Sequence, residues 1–191
     1  MTDWTRLSYV VVDVEGNGQQ PPELVELAVM PIEGGVAGKH QSWLVQPLHP
    51  ITHLATAIHG IRTQDVAGCP PVAEVAADVL AALDAPALVA HNAHVDVGVL
   101  RRELPGWEPP EVFDTLKLSR RLVPGLPAYK LGDLVERFEL AEGVPDGLKP
   151  HRAAHDALVT ARLFMLLAGR AGSLEELRGQ SPEKVPEDAL F

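Results

Sequence analysis

Cysteine is almost absent from this chain. Cys69 stands alone, so no disulfide can form within one molecule, and a reducing, cytoplasmic setting is expected. Long apolar runs are missing too. The most continuous one, residues 163–168, is far short of the ~20 residues a membrane helix needs. The start, Met1-Thr2-Asp3-Trp4, lacks the basic-then-apolar pattern of a secretory signal, so no membrane partner is expected. Positive charge is scarce: 16 Lys and Arg face 26 Asp and Glu, for a formal net charge of −10. That balance excludes a wide, strongly basic phosphate-tracking surface.

The distribution of charge qualifies this exclusion. Residues 1–100 hold three basic and eleven acidic side chains, whereas residues 101–152 hold nine of each. Arg101, Arg102, Lys117, Arg120, Arg121, Lys130, Lys149 and Arg152 all fall in that middle stretch. A short grip on one strand end therefore stays open, beside the plainer reading of solvated helix faces. A hydrophobic share of 46% over 191 residues suffices for one core without disulfides or a structural metal.

Residues 8–14 form a β-branched apolar run ending at Gly16-Asn17-Gly18, which predicts a buried strand and a tight turn. Residues 24–32 and 41–45 predict two more strands, with Gly34-Gly35 as a hairpin connection. Residues 47–69 are rich in turn formers and leave room for one short helix. Pro70-Pro71 opens an alanine-rich helix to about Leu83, since a first helical turn tolerates proline. A strand over 87–90, a helix over 95–104, a short strand near Val112-Phe113 and a helix over 115–122 follow. Helices over 131–138 and 153–167 complete the pattern, the last with Ala157, Thr160, Phe164 and Leu167 on its core face. Strands first, then strands alternating with helices, predict an α/β domain with a mixed sheet: three antiparallel strands, then parallel ones joined by crossovers. The domain is expected to span residues 1–170, and residues 171–191, polar and punctuated by Pro182 and Pro186, read as a flexible tail.

Asp13 and Glu15 lie two apart at the end of the first strand, so both point to one face. Two neighbouring carboxylates have no use in a buried strand, because unpaired buried charge is costly. The pattern is weak alone, for Asp-x-Glu is expected about once by chance in this composition. His91-Asn92-Ala93-His94-Val95-Asp96 follows the fourth strand, where α/β sheets place their ligand crevices. Asn92 could instead cap a helix, and Asp96 could merely favour its dipole. His151 and Asp156 mark the start of the last long helix, beyond Pro150. The i, i+3 and i, i+4 histidine pairs His91/His94 and His151/His155 suit zinc, but zinc leaves Asp13, Glu15 and Asp96 without a role. Taken together, four carboxylates and one histidine form an oxygen-rich cage for two hard cations ~3.5–4 Å apart.

Val12-Asp13-Val14-Glu15 with Gly18, His91-Asn92-Ala93 with Asp96, and His151-Arg152-Ala153 with Asp156-Ala157 occur in one order across the chain. This three-part pattern resembles the DEDD 3′→5′ exonucleases of the histidine subtype, the family of bacterial proofreading subunits, ribonuclease T and oligoribonuclease. Ile58-His59-Gly60-Ile61 resembles a segment lining the terminal-nucleotide pocket. Phe113-Asp114-Thr115-Leu116 and Tyr129-Lys130-Leu131-Gly132-Asp133-Leu134 also look like the family. The resemblance implies a ribonuclease-H-like fold and two Mg²⁺ or Mn²⁺ ions on Asp13, Glu15, Asp96 and Asp156. It implies His151 as general base, and Gly16, Asn17, His59, Gly60 and Asn92 against the substrate. His155 is left as a bystander. The implied reaction releases nucleoside 5′-monophosphates from nucleic-acid 3′ ends. Single-stranded DNA is the preferred substrate, RNA or short oligonucleotides the alternative, and a catalytically silent nucleic-acid- or clamp-binding module the remote one.

Two positions depart from the family's habit. Gly16-Asn17 stands where relatives often carry Thr-Thr, and Val95 where phenylalanine is common, so nucleotide preference rather than chemistry is in question. Asp188-Ala189-Leu190-Phe191 resembles Leu-Phe-ended peptides that dock on a sliding clamp, so a clamp or a polymerase is the expected protein partner.

Overall fold

The computed structural model describes residues 3–179. Six strands form one sheet: β1 (Tyr9–Gly16), β2 (Leu24–Glu33), β3 (Val36–Ala37), β4 (Gln41–Leu44), β5 (Ala87–Ala90) and β6 (Glu111–Asp114). The order is β3-β2-β1-β5-β6, with β4 also on β2. β2 runs antiparallel to β1, β3 and β4, whereas β5 and β6 run parallel to β1. The expected mixed sheet is therefore present, with the two-residue β3 added in the hairpin after Gly34-Gly35. Among the described residues there are seven α-helices, α1 (His53–His59), α2 (Val72–Ala82), α3 (His94–Glu103), α4 (Thr115–Leu122), α5 (Leu131–Arg137), α6 (Ala153–Arg170) and α7 (Leu174–Arg178), and the first six follow the expected places. Among the described residues no helix is long and apolar enough to cross a membrane.

The period-2 alternation of β1 divides the core. Tyr9 and Val11 face a cluster with Phe113, Leu134, Phe164 and Leu167 under α4, α5 and α6. Val10 and Val12 face the opposite cluster, with Val79, Val99 and Leu100 of α2 and α3. The few aromatics concentrate on the first face, where Tyr9, Phe113 and Phe164 have ring centroids 4.8–5.7 Å apart. All four predicted core positions of α6 are fully buried. Near its N-terminus α6 carries Ala153, Ala154 and Ala157 against Ala28 of β2. Such small side chains let the helix start approach the sheet closely.

α7 lies where the composition predicts the beginning of a loose tail, and Leu177 inserts into the α6-side core at 1% exposure. The Leu-Phe end of the chain lies outside the described residues.

Candidate active site

The same alternation that buries Tyr9 and Val11 sends Asp13 and Glu15 out on the α6 face at the end of β1. α6 then delivers Asp156 in its first turn. One carboxylate oxygen from each of Asp13, Glu15 and Asp156 lies within 4.8 Å of the others. Asp96 stands outside that trio. It comes from the other side of the sheet, on α3, where its Oδ1 accepts the backbone N–H of Val14 at 3.0 Å. It is 5% exposed.

Burial acts in one direction on Asp13, Glu15 and Asp96. Burial, then Asp96, Asp156 and Glu15, pushes the Asp13 carboxyl well above its ordinary value. Glu15 is pushed up to about 8 by burial and by Asp156, Glu26 and Asp96. Asp96 is pushed up to about 7, chiefly by burial, against the opposing pull of the Val14 N–H. The close oxygens of Asp13, Glu15 and Asp156, with the raised proton affinities of Asp13 and Glu15, fit a hard divalent ion, and the buried Asp96 stands behind them.

The nearest cation is already committed. Arg152 donates from Nε and Nη2 to Glu26 of β2 at 2.9 and 2.6 Å, and the Ala153 backbone N–H joins the same carboxylate at 3.0 Å. Glu26 is 7% exposed and faces Glu15 across the β1–β2 ladder. α6 has no side-chain cap from its own N-cap residue, Arg152, so Glu26 supplies the missing acceptor from another element. This tether was not read from the sequence. The signal that could have found it is a carboxylate inside the otherwise apolar run of residues 24–32.

His151 lies just before this tether, exposed, with a left-handed φ of 60°. That conformation disfavours an L-residue by roughly 1–2 kcal/mol, so the fixed residues after it must hold it. His155, expected as a bystander, is 5% exposed, and its Nδ1 lies 2.7 Å from Asp156 Oδ1. The bond orients a clustered carboxylate.

The expected substrate contacts divide. Asn17 is fully buried; its Oδ1 accepts from Gln19 N and Glu23 N, while Nδ2 donates to Glu23 and His49. Its side-chain polar atoms are spent within the loop rather than presented to the expected substrate. His59 is 5% exposed and links Gly16 O to Ile61 N through its two ring nitrogens, and burial lowers its pKa. It therefore positions Gly16. A Cβ on Gly16 would meet Pro22 Cβ at 3.1 Å, a physical reason for glycine where a threonine is common. Gly60 closes α1 with φ 78°. Asn92 has φ 65°, its N–H bonds to Asp114 Oδ1, and its side-chain amide makes no hydrogen bond within the described residues. His91 bridges Thr115 Oγ1 and Tyr129 O, which ties the end of β5 to α4 and removes it from the zinc alternative.

A family model described as exonuclease (RNase_T) matches residues 10–164. The chain is 36% identical over 177 residues to the 3′-5′ exonuclease DinG of Bacillus subtilis, covering 89% of this chain and 18% of that protein. A DNA polymerase III subunit epsilon-like protein of Rhodobacter capsulatus is 35% identical over 175 residues, covering 87% and 24%. The chain thus spans less than a quarter of the length of these curated relatives. Among solved structures, Exonuclease X in complex with 5′ overhanging duplex DNA superposes with a TM-score of 0.74 at 34% identity, covering 86% of this chain and 93% of that one. Exonuclease I of E. coli with a dT13 oligonucleotide, at 19% identity and TM-score 0.70, shares the fold.

Proposed function

The chain belongs to the exonuclease family, and from that premise we propose that it removes nucleotides from nucleic-acid 3′ ends by metal-dependent hydrolysis. The observation that carries this reading is the convergence of Asp13, Glu15 and Asp156 within 4.8 Å, with Asp96 behind them. Asp13, Glu15, Asp96 and Asp156 would hold two divalent cations, Mg²⁺ or Mn²⁺. Bound there, the ions supply positive charge that offsets the carboxylates and polarises the phosphodiester and the attacking water. A ring nitrogen of His151 takes the proton of that water as its oxygen bonds to phosphorus and the bond to the 3′-oxygen breaks. The released product is a nucleoside 5′-monophosphate.

The exposure of His151 suits proton exchange with solvent, and the Glu26–Arg152 tether suits holding it at a fixed distance. Leu54 and Ile58 are 75% and 54% exposed at i, i+4 on α1, beside the Gly16–His59 link, and suit a terminal base. The free amide of Asn92 suits a hydrogen bond to the same nucleotide. DNA is the proposed substrate, with single-stranded ends preferred: the Exonuclease X structure was solved with 5′ overhanging duplex DNA, and relatives carry DNA polymerase III names. A cytoplasmic setting belongs to the same proposal, as does clamp docking through Asp188-Ala189-Leu190-Phe191. The function is tested with matched 5′-labelled single-stranded DNA, duplex DNA and RNA. Stepwise shortening, fastest on single-stranded DNA, is expected; faster shortening of RNA would move the assignment to RNA trimming, and internal cutting would refute it.

A further inference from the structure

A second concavity runs along the free edge of the sheet. Among the described residues β6 pairs only with β5, and its outer side opens on a groove of about 560 Å³ between α3 and α4. Arg101 lines it from α3, Lys117 and Arg121 from α4, and Arg178 from α7. Val112, 39% exposed, lies between the walls. On a chain with net charge −10, four cations in one groove call for an occupant.

The groove's two carboxylates are already engaged. Glu111 pairs with Arg178 at 2.7 and 2.9 Å. Asp114 Oδ1 accepts the backbone N–H groups of Asn92, Leu116 and Lys117. The Lys117 ammonium has no hydrogen-bond or ion-pair partner among the described residues. Arg121 uses Nη2 on the neutral Leu177 carbonyl. Arg101 pairs with Glu108, 76% exposed, and such surface pairs exchange partners at little cost. The groove therefore keeps a positive excess, carried by Lys117 and Arg121 on the α4 wall and joined by Arg101 from α3 when it leaves Glu108.

Its upper end adjoins the carboxylate cluster. His94 and Asp114 line that end, and both belong to the C-terminal rim of the parallel strands that also carries Asp13 and Glu15. Two strand spacings, about 10 Å, separate β1 from β6. That distance is about three nucleotides at ~3.4 Å each. The α3 wall from His94 to Arg101 adds about 10 Å more.

We propose that this groove holds the substrate strand about three to six nucleotides on the 5′ side of the scissile bond, with Arg101, Lys117 and Arg121 on its phosphates. The proposal rests on the exonuclease reading and extends it. A peptide strand added to β6 is the poorer occupant. Four residues of edge leave about two outward-facing backbone pairs, too short a ladder for stable β-addition.

The test is anisotropy of a labelled single-stranded 12-mer on the full chain in chelator, beside cleavage of a 12-mer and a dinucleotide in Mn²⁺. The variant is Arg101→Gln with Lys117→Gln; Arg121 stays, because it also holds Leu177. Two phosphate contacts at ~0.7 each predict a salt slope of log affinity shallower by about 1.4, with 12-mer affinity weakened about tenfold. The preference for the 12-mer over the dinucleotide in kcat/KM falls by a similar factor. Unchanged 12-mer affinity and unchanged salt slope overturn the groove, as does loss in the variant of binding to an acidic peptide with DNA affinity intact. Variant-sensitive binding without cleavage of either substrate overturns the exonuclease reading and leaves the groove standing.

Discussion

Replacing Glu15 by glutamine should stabilise the metal-free protein while removing its function. Glu15 moves from an ordinary 4.5 to about 8 in the fold, through burial and the carboxylates of Asp156, Glu26 and Asp96. Its folded pKa lies above its unfolded one, so the fold holds more protons than the unfolded chain from about pH 4.5 to 8. Stability contributed by the protonated group is complete below pH 4.5 and is lost as pH rises through 8. At ~1.4 kcal/mol per unit, the loss reaches on the order of 4 kcal/mol at pH 8, and access of water to the rim lowers it to about 1–3. Glutamine imitates the protonated side chain at every pH. In chelator, thermal unfolding should give Glu15→Gln a Tm at pH 8 several degrees above wild type, at about 2–4 °C per kcal/mol, and nearly equal to it at pH 4.5. A variant that is neutral or destabilised at pH 8, or shows the same difference at both pH values, would refute the view of this cluster as mutually repelling carboxylates.

Four further outcomes follow from the same geometry. Mg²⁺ or Mn²⁺ should raise the wild-type Tm more at pH 8 than at pH 5, because the ions must displace protons, and Asp13→Ala should abolish the effect; equal shifts at both pH values would argue against metal–proton competition. His151→Ala should slow cleavage by ~10²–10⁴ without changing the metal midpoint. His155→Ala should instead weaken metal binding by ~10–100-fold through loss of the Asp156 contact, and metal titrations of activity separate the two histidines. Glu26→Ala strands the Ala153 N–H and a part-exposed Arg152, costing about 1–3 kcal/mol. It should lower kcat by up to ~10² with little change in KM, and a pure stability loss with kcat intact would remove the tether from the mechanism.

The clustered carboxylates were legible in the sequence because the physics that aligns them is local. Period 2 on β1 places Asp13 with Glu15, and the helix starts after β5 and after Pro150 bring Asp96 and Asp156 to the sheet's rim. The contacts that hold those elements together are not local, and they were not legible. Glu26 reaches Arg152 across 126 positions, and its neighbours on β2 say only that a charge is out of place. Asn17 reads as a ligand contact because it follows the acidic motif, yet the return of Glu23 and His49 over the same loop buries it. Leu177 sits in a short polar segment, and only the packing of α6 shows that a core site awaits it. The charge count concealed the edge groove, because Arg101 and Lys117 line it from two different helices.

The central claim concerns which end is attacked and what the carboxylates do there. A single-stranded DNA carrying a label on its 3′-terminal nucleotide, incubated with Mn²⁺, measures both at once. The label should leave in the first turnover as a nucleoside 5′-monophosphate, and release should vanish in chelator and in Asp13→Asn. Label retained on a shortening strand, or release that persists in Asp13→Asn, would contradict the account.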